Sequence, residues 1–374
     1  MKKVLIVNEW LIGGGVEKVM FDLIHSLPEE EYDITILTLY EDKDFSIEDV
    51  YSRRVKYIRA NKLFKADIYP RKSIRHMLCA IRRKVYQRVA QFLFSLKNYD
   101  LLIAMEEGAC IKLLSRVRAK KKLDWVHCDY MTFHWTKGYF SSDEEERKCM
   151  EQYNHVVCVS GTTKEHIIEK LGDPGNLCVK YNPVDEKKVL SKAKESIEAI
   201  EVQSKLLFVT VGRLTTAKGY ERLQNICKRL NDEGYLYDLW IIGDGELSEQ
   251  LHRQKQELGL ENVQYMGNKE NPFPYMIKAD WFLCSSITEG FSTVLQEAAI
   301  LGVPIISTCC SGTKELLGES EYGIVVKNDD IALYEGMKRI LDDTSVTEYY
   351  CAKAKERQSF VNLQNRIEEI KKLL

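Results

Sequence analysis

Two carboxylates, Glu289 and Glu297, stand eight positions apart in "SSITEGFSTVLQEAAILGVPII", a run that otherwise has the composition of a core. Ionised carboxylates accept hydrogen bonds from hydroxyls, and they are costly to bury without such partners. Upstream, "VTVGRLTTAKGYERL" places Arg213 and Lys218 just beyond an apolar strand, with Gly212 and Gly219 beside them. A lone Arg and Lys in a loop are ordinarily solvated. At a strand end before a helix N-terminus, with glycines that let a ligand approach the backbone, they make a receptor for a diphosphate. Eight helical residues rise about 12 Å, comparable with a nucleotide sugar from hexose to ribose. Positions eight apart differ by roughly 80° around a helix, so two acids wholly on one helix would not share a face. With Glu289 in the loop and Glu297 in the second turn, both can face one ligand. The amides of residues 290 to 293 lie between them as an anion-binding end.

The elements that must hold these groups follow from periodicity. "KKVLIVN" is a buried parallel strand, then come the loop "EWLIGGG" and a helix with Val16, Val19, Met20, Leu23 and Ile24 on one face. "YDITILTLY", "YDLLIAM", "LDWVHCD" and "HVVCVS" are further strands, and "GTTKEHIIEKLG" has helix-start chemistry and a glycine cap. After the polar stretch "KYNPVDEKKVLSKAKESIEAIEVQSK" the alternation restarts with "LLFVTVG", "DLWIIG", "VQYMG", "DWFLCSS", "VPIIST" and "YGIVV". Strands alternating with helices give parallel sheets covered on both faces. The expectation is an α/β chain of two doubly wound domains, 1–185 and 186–350, with a charged helix over 351–374 that packs back on the N-terminal domain. Ligands of such sheets bind outside the carboxyl ends of the strands.

Length and composition agree. The 374 residues exceed what one core usually serves, and 45% hydrophobic with 29% charged is ordinary globular material. No apolar run approaches the roughly 18 residues of a membrane span, and "MKK" precedes too short an apolar stretch for a secretion signal. Eleven cysteines without a C-x-x-C pair argue for reduced core fillers in a cytoplasmic protein. The net charge is only −2, yet Arg53 to Lys97 holds fourteen Lys or Arg and one acid, Asp67. That leaves +13 there and −15 elsewhere, a statement about partners. Within this block Ile74, Leu78, Ile81, Val85, Val89, Phe92 and Leu96 form an apolar stripe at helical spacing, flanked by Arg75, Arg82, Lys84 and Arg88. The stripe is expected to pack on the sheet. The excess charge suits an anionic membrane surface, at around 1 kcal/mol per basic residue near lipid. No nucleic-acid motif accompanies it.

"GRL" with Lys218-Gly219 following, "IIGDGEL", "EGFSTVLQE", "GVPIIST" and "GTKELL" resemble the family-4 retaining glycosyltransferases of GT-B fold through the whole C-terminal half. The N-terminal likeness is thinner. "IVNEWLIGGGVEKV" is similar to the family's glycine-rich loop and first helix, and "WVHCD" to its histidine-bearing strand end. The resemblance implies two Rossmann-like domains facing each other across a deep cleft, and transfer of a hexose from a nucleoside-diphosphate sugar. In that scheme Arg213 and Lys218 neutralise the diphosphate, Glu289 binds hexose hydroxyls and Glu297 binds ribose. The backbone at Gly290, Phe291, Ser292 and Thr293 meets sugar and phosphate. Gly14 and Gly15 admit the donor, and His127 contacts the sugar near the reacting carbon, with His134 as its rival. Met266 to Asn268 would cradle the base.

No metal or cofactor is expected where Arg and Lys carry the charge. The only D-x-D, Asp42 and Asp44, reads as a surface loop. Gly13 to Gly15 lack the third glycine of a dinucleotide fingerprint, which speaks against a nicotinamide oxidoreductase. The expected acceptor is a glycan or lipid-linked saccharide, in cell-surface polysaccharide or capsule synthesis, on the inner membrane face. A nucleotide-sugar epimerase of the same fold and a non-catalytic nucleotide-sugar binding protein are the alternatives. Base, sugar and acceptor depend on pocket shape.

Overall fold

The computed structural model describes residues 1–11, 14–40, 55–59, 88–197 and 204–374. Asp42, Asp44, Gly13 and most of the basic block lie outside these residues. The chain divides into a unit of Met1–Tyr181 with Arg366–Leu374 and a unit of Asn182–Asn365, whereas the sequence placed the break after residue 185.

The first unit holds a seven-stranded parallel sheet. Its strands are β1 (Lys2–Asn8), β2 (Tyr32–Thr38), β3 (Lys56–Arg59), β4 (Leu101–Ala104), β5 (Lys121–Val126), β6 (His155–Cys158) and β7 (Leu177–Val179), in the spatial order β3-β2-β1-β4-β5-β6-β7. Val4 to Val7 and Leu101 to Ala104 have essentially no exposure, as strands covered on both faces require. The order reverses between β1 and β4, so the loops after those strands flank the switch point where such sheets bind ligands. The helix Gly15–His25 packs Val19, Met20, Leu23 and Ile24 inward.

The second unit holds β8 (Leu207–Val211), β9 (Asp238–Ile242), β10 (Val263–Gly267), β11 (Trp281–Cys284), β12 (Ile305–Thr308) and β13 (Ile324–Val326), ordered β10-β9-β8-β11-β12-β13. Here the switch point falls between β8 and β11. Trp281, Phe208, Leu239 and Ile241 fill one core with Leu223, Leu230 and Leu251 from the covering helices.

Two expectations change. The tail is not one continuous helix: Thr344–Arg357 is followed by a 3-10 turn, Gln358–Phe360, and a separate helix, Leu363–Lys371. Residues Arg366–Leu374 belong to the first unit, where Lys180 Nζ donates to Glu369 Oε2 at 2.7 Å. The second change concerns the apolar stripe. Along the helical stretch 88–96, Val89, Phe92 and Leu96 are 48%, 64% and 61% exposed. The face that packs carries Ala90 and Phe94, and Gln91 Nε2 donates to the Leu113 carbonyl at 3.0 Å. This sequence is apolar on two faces, and the smaller Ala90 lets the backbone approach the core more closely than the stripe would.

Candidate active site

In the second unit, β8 runs out at Gly212 and Arg213, and the chain makes a 3-10 turn at Thr216–Lys218 before the helix Tyr220–Asp232. Gly219 sits at φ 67, and a Cβ there would lie 2.3 Å from the Ser285 carbonyl oxygen. Only glycine lets the loop after β11 pass so close. The two loops are tied together: Ser285 Oγ donates to the Lys218 carbonyl at 2.9 Å, and the Ile287 amide to the Ala217 carbonyl at 2.7 Å. At their junction Lys218 Nζ donates to Glu289 Oε1 at 2.5 Å, and Ser286 Oγ donates to the same oxygen at 2.6 Å. Burial works against the Lys218 charge, but the surrounding groups, Glu289 foremost, together hold the pKa above the usual lysine value.

Sequence reasoning passed over Arg222. Its guanidinium donates to the carbonyls of Ser285 and Ser286 and to Asn328 Oδ1, while Asn328 Nδ2 reaches the Ile287 carbonyl at 2.7 Å. These bonds brace the loop that carries Glu289. The "KGYERL" run contained the signal, an Arg one turn into a helix that begins at a strand-end loop.

Arg213 is exposed and meets no acid among the described residues. The helix Thr293–Leu301 begins at Ser292, whose side chain makes no capping bond; its Oγ is buried without a hydrogen-bond partner. Gly290 and Phe291 before it are buried, and Thr293 is partly exposed. Glu297 lies on the helix body and is only 2% exposed, unlike Glu289 in the loop. Gly312 φ is 76, and a Cβ there would fall 2.4 Å from the Phe291 ring, so "GTKELL" supplies the space that ring occupies.

Three strand ends next to one another expose backbone. Gly243 has φ 140, a Cβ on it would meet the Gly212 carbonyl oxygen at 2.1 Å, and its amide donates to the Gly267 carbonyl at 2.9 Å. The β10–β9 register shifts at Met266, and Asn268 beyond it is exposed. The second unit thus brings Lys218 and Glu289 into contact and places Met266 and Asn268 at the same sheet edge.

In the first unit, Gly14 stands before the helix Gly15–His25 without a side-chain cap, leaving backbone amides at the β1 end. His127 follows β5; its amide donates to Glu107 Oε2 at 2.9 Å, and its Nε2 is buried with no hydrogen-bond partner. Burial pushes its pKa down to about 4 against the pull of Glu107, so the ring is neutral near pH 7. His134 is occupied elsewhere, with Nε2 2.8 Å from Glu146 Oε2 in a buried group with Tyr130 and Thr136.

The acids beside His127 escaped the sequence reading. Glu107 Oε1 accepts from the Trp135 indole at 3.0 Å. Glu9 accepts from the Ala109 amide at 2.9 Å and from the Tyr139 hydroxyl at 3.0 Å. Burial raises Glu9 to about 7, with Glu107 adding to the shift against the donors Ala109, Tyr139 and Trp10. Burial and the charges of Glu17, Glu9 and Glu107 carry Glu106 well above the carboxylate range. "MEEGA" and "NEW" are short and unpatterned, so only the strand order shows that they meet.

Residues 192–357 match the family described as glycosyl transferases group 1, and residues 13–188 match glycosyltransferase family 4. A Campylobacter jejuni N-acetylgalactosamine-N,N'-diacetylbacillosaminyl-diphospho-undecaprenol 4-alpha-N-acetylgalactosaminyltransferase is 34% identical over 47% of this chain; that stretch is also 47% of the relative, about half its length. A lipopolysaccharide 1,6-galactosyltransferase of Salmonella typhimurium is 24% identical over 84% of this chain and 82% of its own. The crystal structure of Anabaena HepE in complex with UDP and glucose superposes with a TM-score of 0.74 at 17% identity, covering 100% of this chain and 99% of that one. The two family models between them cover both halves, each built on its own parallel sheet: the chain belongs to the family-4 glycosyltransferases of GT-B fold.

Proposed function

We propose that this protein transfers a hexose, with retention of anomeric configuration, from a nucleoside-diphosphate sugar to a saccharide carried on a lipid diphosphate, in the synthesis of a cell-surface glycan. The Lys218–Glu289 contact at the β8/β11 switch point carries the reading. As the glycosidic bond to the donor breaks, negative charge builds on the departing phosphate oxygen. A fixed ammonium and the helix amides at residues 290–293 stabilise that charge without reorganising. Arg213, exposed at the same sheet edge, adds a second cation when the diphosphate arrives, and with two cations in place no metal is required. Glu289 then exchanges part of its bond to Lys218 for hydroxyls of the hexose, and Glu297 serves the ribose. The neutral His127, with its unpartnered Nε2, contacts the sugar near the reacting carbon.

UDP is the base we favour, since HepE was solved with UDP. The acceptor class follows the Campylobacter relative, whose name specifies a diphospho-undecaprenol-linked saccharide. Both named relatives are transferases, which favours transfer over epimerisation. No helix among the described residues is long and apolar enough to cross a membrane. The excess of +13 over residues 53–97 supports a peripheral contact with anionic lipid on the inner face. The test is a panel of UDP-, GDP- and ADP-sugars assayed by thermal shift and by nucleotide release with a lipid-linked acceptor, with and without EDTA. One donor should stabilise the protein by about 2.7 kcal/mol at 100 times its dissociation constant, and EDTA should leave turnover unchanged. A panel without any shift would remove the donor assignment.

A further inference from the structure

The two oxygens of Glu289 have different surroundings. Oε1 accepts from Lys218 Nζ at 2.5 Å and from Ser286 Oγ at 2.6 Å, which fills both of its lone pairs. Oε2 accepts no bond among the described residues and stays open to solvent.

Ser286 is 2% exposed, and its polar groups have fixed directions. The Cys284 thiol donates to its hydroxyl at 3.4 Å. Burial, with the Glu289 charge adding to it, raises the pKa of that thiol and keeps it a donor, so the hydroxyl's own proton turns to Glu289. The Ser286 carbonyl takes three donors: Arg222 Nη2 at 2.8 Å, Thr308 Oγ1 at 2.6 Å and the Cys310 thiol at 3.3 Å. Arg222 also holds the Ser285 carbonyl, through Nε at 3.0 Å and Nη2 at 2.6 Å. Its third acceptor, Asn328 Oδ1 at 2.8 Å, belongs to the amide that donates to the Ile287 carbonyl. One guanidinium and its amide partner thus tie three successive carbonyls, 285 to 287. The Arg222 side chain is 11% exposed and has Asp330 3.9 Å away, so it reaches Glu289 through Ser286 and not through a ligand.

We infer that Ser286 determines which donor hexose this site accepts, and that Arg222 is a positioning residue acting through it: together they commit Oε1 of Glu289 and leave Oε2 as the single oxygen that meets the sugar. This inference rests on the donor reading proposed above and concerns the hexose, not the nucleotide. An arriving diphosphate competes for Lys218, so Ser286 is the contact that keeps Oε1 committed. The carboxylate then accepts at one fixed point and does not clasp a vicinal diol with both oxygens. Inverting one ring carbon carries its hydroxyl away from that point and leaves the acceptor unpaired, which a site built for hydrogen bonding penalises heavily. A carboxylate free to turn would follow the hydroxyl and tolerate either epimer.

The test is calorimetric titration of UDP, UDP-glucose, UDP-galactose and the N-acetylated forms of both sugars into the full-length wild type, S286A, R222K, R222M and S286A/R222M. The wild type should bind one UDP-hexose about tenfold or more tightly than its 4-epimer, as one charge-assisted hydrogen bond predicts. In S286A that ratio should fall several-fold, toward parity, while UDP binds as it does to the wild type. R222M should narrow the ratio as far, and R222K should retain part of it. The double variant should be no worse than either single one, because both act through the same contact. An S286A protein with the wild-type ratio would overturn the inference. So would equal weakening of UDP and both epimers, the mark of a loosened loop, or additive losses in the double variant. Should R222M fail to fold, S286A and R222K decide the question. A wild type that binds UDP yet tells neither pair of 4-epimers apart would refute this inference alone, whereas one that binds no UDP compound would remove the donor reading and this inference with it.

Discussion

Glu9 is 1% exposed and held by donors at Ala109, Tyr139 and Trp10, yet its burial favours the neutral acid. A carboxyl whose folded pKa is raised stabilises the fold fully below its unfolded value, and that contribution is lost as pH rises toward the folded value. For Glu9 the window runs from 4.5 to about 7. Glu9→Gln cannot ionise, so it should gain on the wild type by about 2.5 kcal/mol between pH 5 and pH 8. Urea unfolding of both proteins at the two pH values reads this directly. His127 moves the other way: its folded pKa is depressed, so stability falls as pH drops from 6.5 toward about 4. Comparing variant with wild type at each pH cancels that contribution. An unchanged difference between pH 5 and pH 8 would mean that Glu9 is already ionised in the fold. Ser292 offers a second residue-scale test. Its hydroxyl is buried without a partner in the ligand-free protein, so Ser292→Ala removes an unsatisfied group and should not lower Tm. If that hydroxyl meets the donor, calorimetric titration should show UDP affinity falling several-fold in the same variant.

At the scale of elements, the strand ends of the second unit depend on backbones lying closer than side chains allow. Gly243→Ala would drive a Cβ to 2.1 Å from the Gly212 carbonyl at φ 140. It should cost about 2 to 4 kcal/mol in unfolding free energy, whereas Gly234→Ala, with nothing within 4 Å of its Cβ, should pay only for its φ of 86. Near-equal losses for the two would show that the Gly212–Gly243 contact relaxes. The interior strands were legible because their apolar runs are long and buried on both faces. The two missed strands, β3 and β7, are short edges without a fully buried residue, so hydrophobic runs could not mark them. The stretch 88–96 misled for the opposite reason: it is apolar on two faces, and periodicity cannot say which of them the core takes. Among site residues, Lys218 and Glu289 were readable from strand-end placement, because each lies within a few residues of a strong strand. Glu9, Glu107 and Arg222 act through partners far away in sequence, as in the Glu9–Ala109 bond across 100 residues, and no local pattern announces them.

For the whole molecule, two parallel sheets each present a switch point, and each switch point has its own chemistry. The second unit offers a cation and a carboxylate in contact, and the first a neutral imidazole among acids. That division suits a reaction between an anionic donor and a hydroxyl acceptor. The central claim is that the Lys218–Glu289 seat receives the donor diphosphate. Calorimetric titration of UDP, GDP and ADP into wild type and Lys218→Met tests it most directly. The account predicts that one nucleotide binds the wild type and loses about tenfold or more in the variant, on the order of 1.5 to 3 kcal/mol for a charge-assisted bond. Undiminished binding of that nucleotide to a folded Lys218→Met protein would contradict it.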